Sequence, residues 1–182
     1  ADSSGSNNTG LIAGATWTSQ GRFGGALVFD GSSSWVAISD SATLDLTTGL
    51  TLEAWVFPTA STGWRTVILK EQPGQLVYGL YASSSTNTPA GQVFVSAAGQ
   101  RVNAPSPIPI NTWTHLATTY DGAVQRLYVN GVEVATRAQT GAVRTSDNPL
   151  RIGGNSIWGE FFQGRIDEGH VWNAVWDHVD LL

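Results

Sequence analysis

The chain has 182 residues, of which 13% are charged, and 9 Lys and Arg against 14 Asp and Glu leave a net charge of −5. Lys70 is the single lysine, so no basic stripe exists to release counterions from a polyanion; a nucleic-acid partner is excluded and an anionic membrane surface is disfavoured. No apolar run reaches the ~18 residues of a membrane-crossing helix, so no membrane insertion is expected, and the absence of Cys removes disulfides, zinc ribbons and thiol nucleophiles together.

Residues 2–10 carry no apolar side chain and read as a loop. A chain opening Ala1-Asp2-Ser3-Ser4-Gly5, with no initiator Met and no Cys, reads as a processed product or a module of a larger secreted or surface protein. Residues 51–57 alternate, with Leu52, Ala54 and Val56 on one face and Glu53, Trp55 and Phe57 on the other, until Pro58 stops the strand. Residues 65–70 and 76–81 are rich in β-branched and aromatic side chains and read as two further strands. The polar segment 83–91 reads as a mobile loop, and residues 104–110, with Pro105, Pro107 and Pro109, as a stiff connector. Residues 115–120 run into Asp121-Gly122, residues 126–129 run into Asn130-Gly131, and residues 132–135 follow. Such Asp-Gly and Asn-Gly pairs suit turns that need positive φ, so this stretch predicts a three-stranded antiparallel meander. Residues 150–152 and 164–171 supply closing strands. No apolar helical period persists for three turns, and the whole reads as all-β, two sheets packed face to face across residues 1–182.

Several strings together resemble bacterial laminin-G-like modules of the concanavalin A-like lectin/glucanase superfamily. They are residues 23–31, residues 50–56, residues 113–122 with Leu127-Tyr128-Val129-Asn130-Gly131, Leu150-Arg151-Ile152-Gly153-Gly154, and residues 162–168. Their order and spacing agree with that family over nearly the whole chain. The resemblance implies a jelly-roll sandwich of two antiparallel sheets, often with a structural calcium and a glycan or protein ligand. Two departures stand out. The family's usual first strand, ahead of the Asp-Ser-Ser-Gly loop, is absent, and the closing strand ends Val171-Trp172-Asn173-Ala174-Val175-Trp176-Asp177-His178 after Gly169-His170. Rebuilt terminal pairing is therefore expected, and with it a dimer through the terminal strands.

Calcium takes six to eight oxygens from carboxylates, amides and backbone carbonyls, and Asp2, Asn7, Asp30 and Asp167 are the expected ligands, Asp167 lying on the final strand that in the resembling family runs near both loops. The competing reading is that Asp30 and Asp167 cap turns by accepting backbone N–H groups. The expected role is structural.

Eight Trp exceed what packing usually requires. A sugar stacks its C–H face on an aromatic ring while its hydroxyls need planar polar partners. Two clusters fit: Trp64, Arg65, Lys70 and Glu71 with Tyr78 or Tyr81, and residues 155–162 with Asn155, Trp158 and Glu160. Trp55, Trp113 and Phe29 read as packing, while Trp35 and Trp172 fit either role. Glycosidases need two carboxylates about 5–5.5 Å apart, or further for inversion, and period-two spacing must put them on one face. No such string occurs: Glu53 and Glu133 stand alone on their strands, and Asp167-Glu168 point to opposite faces. His115 has no triad neighbour in sequence, and His170 and His178 are too isolated for zinc. The expectation is a non-catalytic glycan-binding module; a protein-adhesion or spacer domain and a glycoside hydrolase on the same fold are the alternatives.

Overall fold

The computed structural model describes residues 2–95 and 98–176. In chain order the strands are β1 (Gly10–Ala13), β2 (Thr16–Thr18), β3 (Ala26–Asp30), β4 (Trp35–Ile38), β5 (Leu50–Pro58), β6 (Arg65–Gln72), β7 (Gln75–Ser83), β8 (Ala90–Val95), β9 (Ala98–Asn103), β10 (Thr114–Tyr120), β11 (Val124–Val129), β12 (Val132–Ala138), β13 (Leu150–Ile152) and β14 (Gln163–Trp172). They form two antiparallel seven-stranded sheets, sheet I in the order β1-β4-β13-β6-β7-β8-β9 and sheet II in the order β12-β11-β10-β5-β14-β3-β2. The jelly-roll sandwich expected from the sequence is the fold. No helix among the described residues is long and apolar enough to cross a membrane.

Strand β5 shows how the sequence builds the core. Leu52, Ala54 and Val56 are fully buried between the sheets, and Glu53, Trp55 and Phe57 point outward. Its neighbour β10 pairs Leu116 with Ala54 and Thr118 with Leu52, which aligns the inward sets across the ladder. The meander β10-β11-β12 forms as predicted: Asp121 Oδ1 accepts Ala123 N and Val124 N at 2.9 and 2.7 Å, and Asn130-Gly131 turns at φ 50° and 75°.

Strands β1, β2, β4, β8 and β9 are not singled out by the sequence, being short, Gly-bearing or polar on one face. Residues 83–91, expected to form one loop, are a shorter connection. Strand β7 continues to Ser83 and β8 starts at Ala90, and the turn between them satisfies its own hydroxyls, Thr86 Oγ1 lying 3.0 Å from Ser84 Oγ and 2.8 Å from Thr88 Oγ1. Asn87 Oδ1 ties the turn to Gly63 N at 2.9 Å. At the closing end, β14 pairs with β5 up to Trp172, with a bulge between Asp167 and His170 where Glu168 takes φ 46°. Beyond it Thr51 Oγ1 donates to Ala174 O (2.8 Å) and accepts from Trp176 N (3.1 Å), while Asp177 and His178 lie outside the described residues.

Candidate functional site

Strands β6 and β7 are buried on both faces, so the outer face of sheet I carries a cover. That cover is the loop 153–162. Its Ile157, with Trp64, packs on Leu69, Leu76, Tyr81 and Ala90. Three buried polar side chains hold it down. Glu71 accepts Arg151 Nε at 2.9 Å, Ser156 N at 2.7 Å and Ser156 Oγ at 2.9 Å. Asn155, with no exposed surface, donates Nδ2 to Thr66 Oγ1 and Glu160 Oε2 at 2.9 and 2.8 Å, and its Oδ1 accepts Trp158 N at 2.9 Å. Tyr81 hydrogen-bonds Glu160 in turn. Burial raises the Glu160 pKa against the lowering effect of the Asn155 and Tyr81 hydrogen bonds; burial and the Glu160 carboxylate raise that of Tyr81.

The aromatics sit on this polar base. Trp64 meets Tyr81 edge-on at 4.9 Å and lies under the Arg101 guanidinium at 4.8 Å. Trp158 is 45% exposed at the loop tip beside Gly159, which turns at φ 67°. Trp35 stacks on Phe161 at 5.7 Å, with the Arg151 guanidinium 4.2 Å over its ring. Arg65 donates Nη1 to Phe161 O at 3.1 Å and braces the same loop. Thus Trp64, Arg65, Glu71, Tyr81, Asn155, Trp158 and Glu160 form one constellation, although the sequence separates them into two clusters. Lys70 is a correction. Period-two alternation turns it from Glu71 to the opposite face, where its fully buried Nζ pairs with Asp40 and donates to Asn148 O at 2.5 Å. Tyr78 also points inward, donating to Leu44 O at 2.9 Å.

The outer face of sheet II carries a second polar group. Glu53, expected to stand alone, accepts Trp172 Nε1 at 2.8 Å and lies 3.2 Å from His115 Nε2 and 3.3 Å from His170 Nδ1. Cross-strand register makes these neighbours: β10 places His115 opposite Trp55, and the β14 bulge places His170 opposite Glu53. Burial raises the Glu53 pKa, yet the hydrogen bonds from His115, His170 and Trp172 outweigh it and bring it down to about 2. The Glu53 hydrogen bond raises the pKa of His170 against its burial. Trp55 and Trp113 pack here among rings and arginines: His115 lies 5.4 Å from Trp55, and Arg165 sits 3.9 Å over Phe57 and 5.4 Å from Trp113.

The laminin G model described as concanavalin A-like lectin/glucanases superfamily matches residues 30–178. The chain belongs to that superfamily. Among solved structures, domain 4 of an extracellular arabinanase from Geobacillus stearothermophilus, in complex with arabinotriose, is similar at TM-score 0.79 and 22% identity, over 94% of this chain and 85% of that one. A botulinum neurotoxin type C chain, whose cell entry depends on two ganglioside molecules, is similar at TM-score 0.70 and 10% identity, over 96% of this chain and 45% of that one. Mouse pappalysin-1 is 37% identical over 68 residues, 35% of this chain and 4% of that protein's length.

The calcium that this superfamily resemblance implies finds no shared donor set among the described residues, where no group of three or more His, Asp or Glu is placed to hold a metal. Asp30 lies opposite Gln163, and Asp167 is four residues further along β14, about 13 Å away at ~3.3 Å per residue. Each carboxylate also already accepts backbone N–H groups. Asp2 accepts Ser4 N, Ser4 Oγ and Asn8 N at 2.9, 2.9 and 2.8 Å, beside Asn7 at φ 58°. Asp30 accepts from Ser32, Ser33 and Ser34, bonds that hold its pKa well below the usual carboxylate range. Asp167 accepts Phe23 N at 2.9 Å. Three further residues belong to the sheet I face: Trp35, which fits either role from the sequence, and Arg101 and Arg151, which the sequence does not single out. Their signal in the sequence is an arginine on a strand whose neighbours alternate with it.

Proposed function

We propose that this chain is a non-catalytic carbohydrate-binding module of a secreted or cell-surface protein, holding its glycan on the outer face of sheet I along the loop 153–162. The observation that carries the reading is Trp158. Its indole is exposed, while its backbone N–H is fixed by the Oδ1 of wholly buried Asn155, so the ring is presented to solvent on a braced tip. A preorganised ring loses little freedom when a sugar stacks on it. Trp64 and Arg101 flank the same covered face, and the partly exposed Glu160 carboxylate supplies a planar polar group for a sugar's hydroxyls. Glu71 supports binding over hydrolysis: its carboxylate is consumed by Arg151 and Ser156, so Glu160 lacks a free partner carboxylate there. The similar arabinanase domain is in complex with arabinotriose, and cell entry of botulinum neurotoxin type C depends on two ganglioside molecules, which supports a glycan as the ligand class here.

The test is a glycan array containing arabino-oligosaccharides and ganglioside glycans, followed by calorimetry on whichever binds. Trp158→Ala should weaken binding by about 1–2 kcal/mol, roughly 5–30-fold in Kd, as an exposed aromatic anchor would, and should leave the thermal midpoint nearly unchanged. Trp64→Ala should weaken binding and also lower stability, because its ring is shared with Tyr81 and Arg101. Undiminished affinity in both variants sinks the assignment of the face. Cleavage of a polysaccharide that Glu160→Gln abolishes would make the chain a hydrolase, and an array without any hit would favour the adhesion or spacer reading.

A further inference from the structure

With 14 Asp and Glu against 9 Lys and Arg, the cations of this chain find carboxylates readily. Lys70 pairs with Asp40, Arg126 with Asp121 and Arg151 with Glu71. Arg101 differs. No carboxylate among the described residues lies within ion-pair distance of it; its Nη2 donates to the neutral hydroxyl of Ser85 at 3.2 Å, and its buried Nε has no partner. Strand β9 sets Arg101 opposite Gln92 of β8, and the next residue, Val102, enters the core, so the arginine emerges on the outer face of sheet I. There its guanidinium lies over the Trp64 ring at 4.8 Å, and Trp64 meets Tyr81 edge-on at 4.9 Å. The stacking fixes the plane of the fork and leaves Nη1, which donates to no described residue, free for a ligand. A second arginine without a carboxylate partner among the described residues comes to the same strand, Arg137 Nη1 donating to the Arg101 carbonyl at 3.4 Å.

We propose that Arg101 makes the sheet I face selective for an acidic oligosaccharide, its guanidinium receiving the carboxylate of a uronic or sialic acid unit. This rests on the reading of that face as the glycan site and adds the charge of the ligand to it. A half-buried cation without a counter-ion, in a chain with an excess of acid, is completed by an anion from outside. The planar fork of an arginine matches a carboxylate through two parallel N–H···O bonds, and stacking on Trp64 holds that fork in place before the ligand arrives. Burial and the Glu160 carboxylate raise the Tyr81 pKa against the lowering effect of Arg101, so an acceptor and a cation both stand by that one ring. The pair orients an acidic sugar: its hydroxyls donate to Glu160 and its carboxylate accepts from Arg101, whereas the reversed setting brings two carboxylates together. A densely sulfated chain would ask for several cations at once. On this face Arg65 is engaged with the Phe161 carbonyl and Arg151 with Glu71, so the arrangement suits single, spaced carboxylates.

The probes are matched oligosaccharides that differ only in whether the carboxyl group is charged: oligogalacturonate against its methyl ester, and sialyllactose against its methyl ester. Calorimetric titration of the unmodified chain should give binding of the acid tighter than that of its ester by about tenfold or more in at least one arm, and the arm that does so names the sugar. The ratio of acid to ester affinity should shrink as salt is added. Arg101→Gln, checked for folding by its thermal midpoint, should bring that ratio down to about twofold or less. Equal binding of acid and ester in both arms overturns the selection; if Trp158→Ala still weakens both members alike, the glycan face stands without it. Failure of both acids to bind at millimolar concentration, in a chain that binds a neutral glycan, likewise overturns the selection alone, whereas a chain that binds no glycan loses the face and the selection together. A preference for the acid that survives Arg101→Gln in a folded variant overturns the role of Arg101, and tighter binding of a sulfated oligosaccharide than of either acid overturns the carboxylate. The acid and ester comparison uses the native chain, so a misfolded variant does not decide the outcome.

Discussion

Replacing Glu71 should loosen the whole ligand face, and the size of the effect can be worked from its contacts. The carboxylate receives Arg151 Nε, Ser156 N and Ser156 Oγ, and both it and Arg151 are poorly exposed, with side chains at 4% and 14%. Removing one partner of a buried ion pair costs about 3–5 kcal/mol. Two features reduce that figure. Ser156 is exposed, so water replaces its lost acceptor, and Arg151 keeps its seat over the Trp35 ring. A Glu71→Ala cost of about 3 kcal/mol results, which for a chain of this length lowers the thermal midpoint by roughly 6–12 °C. Glu71→Gln keeps one oxygen acceptor and the side-chain volume, so about half that loss is expected. Because Glu71 pins the loop that presents Trp158, glycan affinity should fall with it even at temperatures where the variant is fully folded. Urea denaturation and calorimetric titration of the same samples separate the two effects. A Glu71→Ala midpoint within 2 °C of the parent, with unchanged affinity, would refute the claim that this carboxylate organises the face.

Lys70→Met should behave in the opposite sense. It leaves Asp40 and Asn148 O without their donor and should cost about 2–4 kcal/mol of stability, yet the folded variant should bind glycan like the parent; a selective loss of affinity would return Lys70 to the ligand face. On sheet II, the stabilising effect of Glu53 with His170 should peak between about pH 4.5 and 6.5. The lowered Glu53 pKa gives stability present above 4.5 and lost as pH falls toward about 2. The raised His170 pKa, with Glu168 Oε2 also 3.5 Å from its Nε2, gives stability complete below 6.5 and lost as pH rises through the folded value. The difference in thermal midpoint between the parent and Glu53→Gln should therefore be widest in that window, and a difference flat from pH 4 to 9 would remove the pair from the account. Calcium gives the simplest measurement. With no group of three or more His, Asp or Glu placed to hold a metal among the described residues, added calcium or chelator should move the midpoint by less than about 1 °C, whereas a rise of several degrees with calcium would require a native-state site.

The legible parts of the fold are those where local chemistry decides. Strand β5 can be read because one face is core and the other is not, and the meander because Asp121-Gly122 and Asn130-Gly131 suit only a few turns. Residues such as Gln163 in β14 or Gly10 in β1 become strand only because a neighbour supplies the ladder. Site residues follow the same division. Trp64 and Trp158 stand out as aromatics in polar loops, but the union of Glu71 with Ser156, or Glu53 with His170, joins residues more than eighty positions apart and is set by cross-strand register. Lys70 departs from the ligand face for a simpler reason, since adjacency in sequence on a strand is opposition in space.

The apolar run in β6 and β7 holds the deeper signal. Val67-Ile68-Leu69 does not alternate, and a run of that kind marks a strand covered on both sides. One side of it is the sandwich core; the other had to be covered by something, and in a two-sheet fold only a loop remains. The loop 153–162 does this by burying Asn155 and packing partly buried Ile157 on the sheet while leaving Trp158 outside. The same need to cover sheet I therefore rigidifies the segment that presents the exposed indole, so the stability of the cover and the affinity of the face should vary together across Glu71, Asn155 and Arg151 variants.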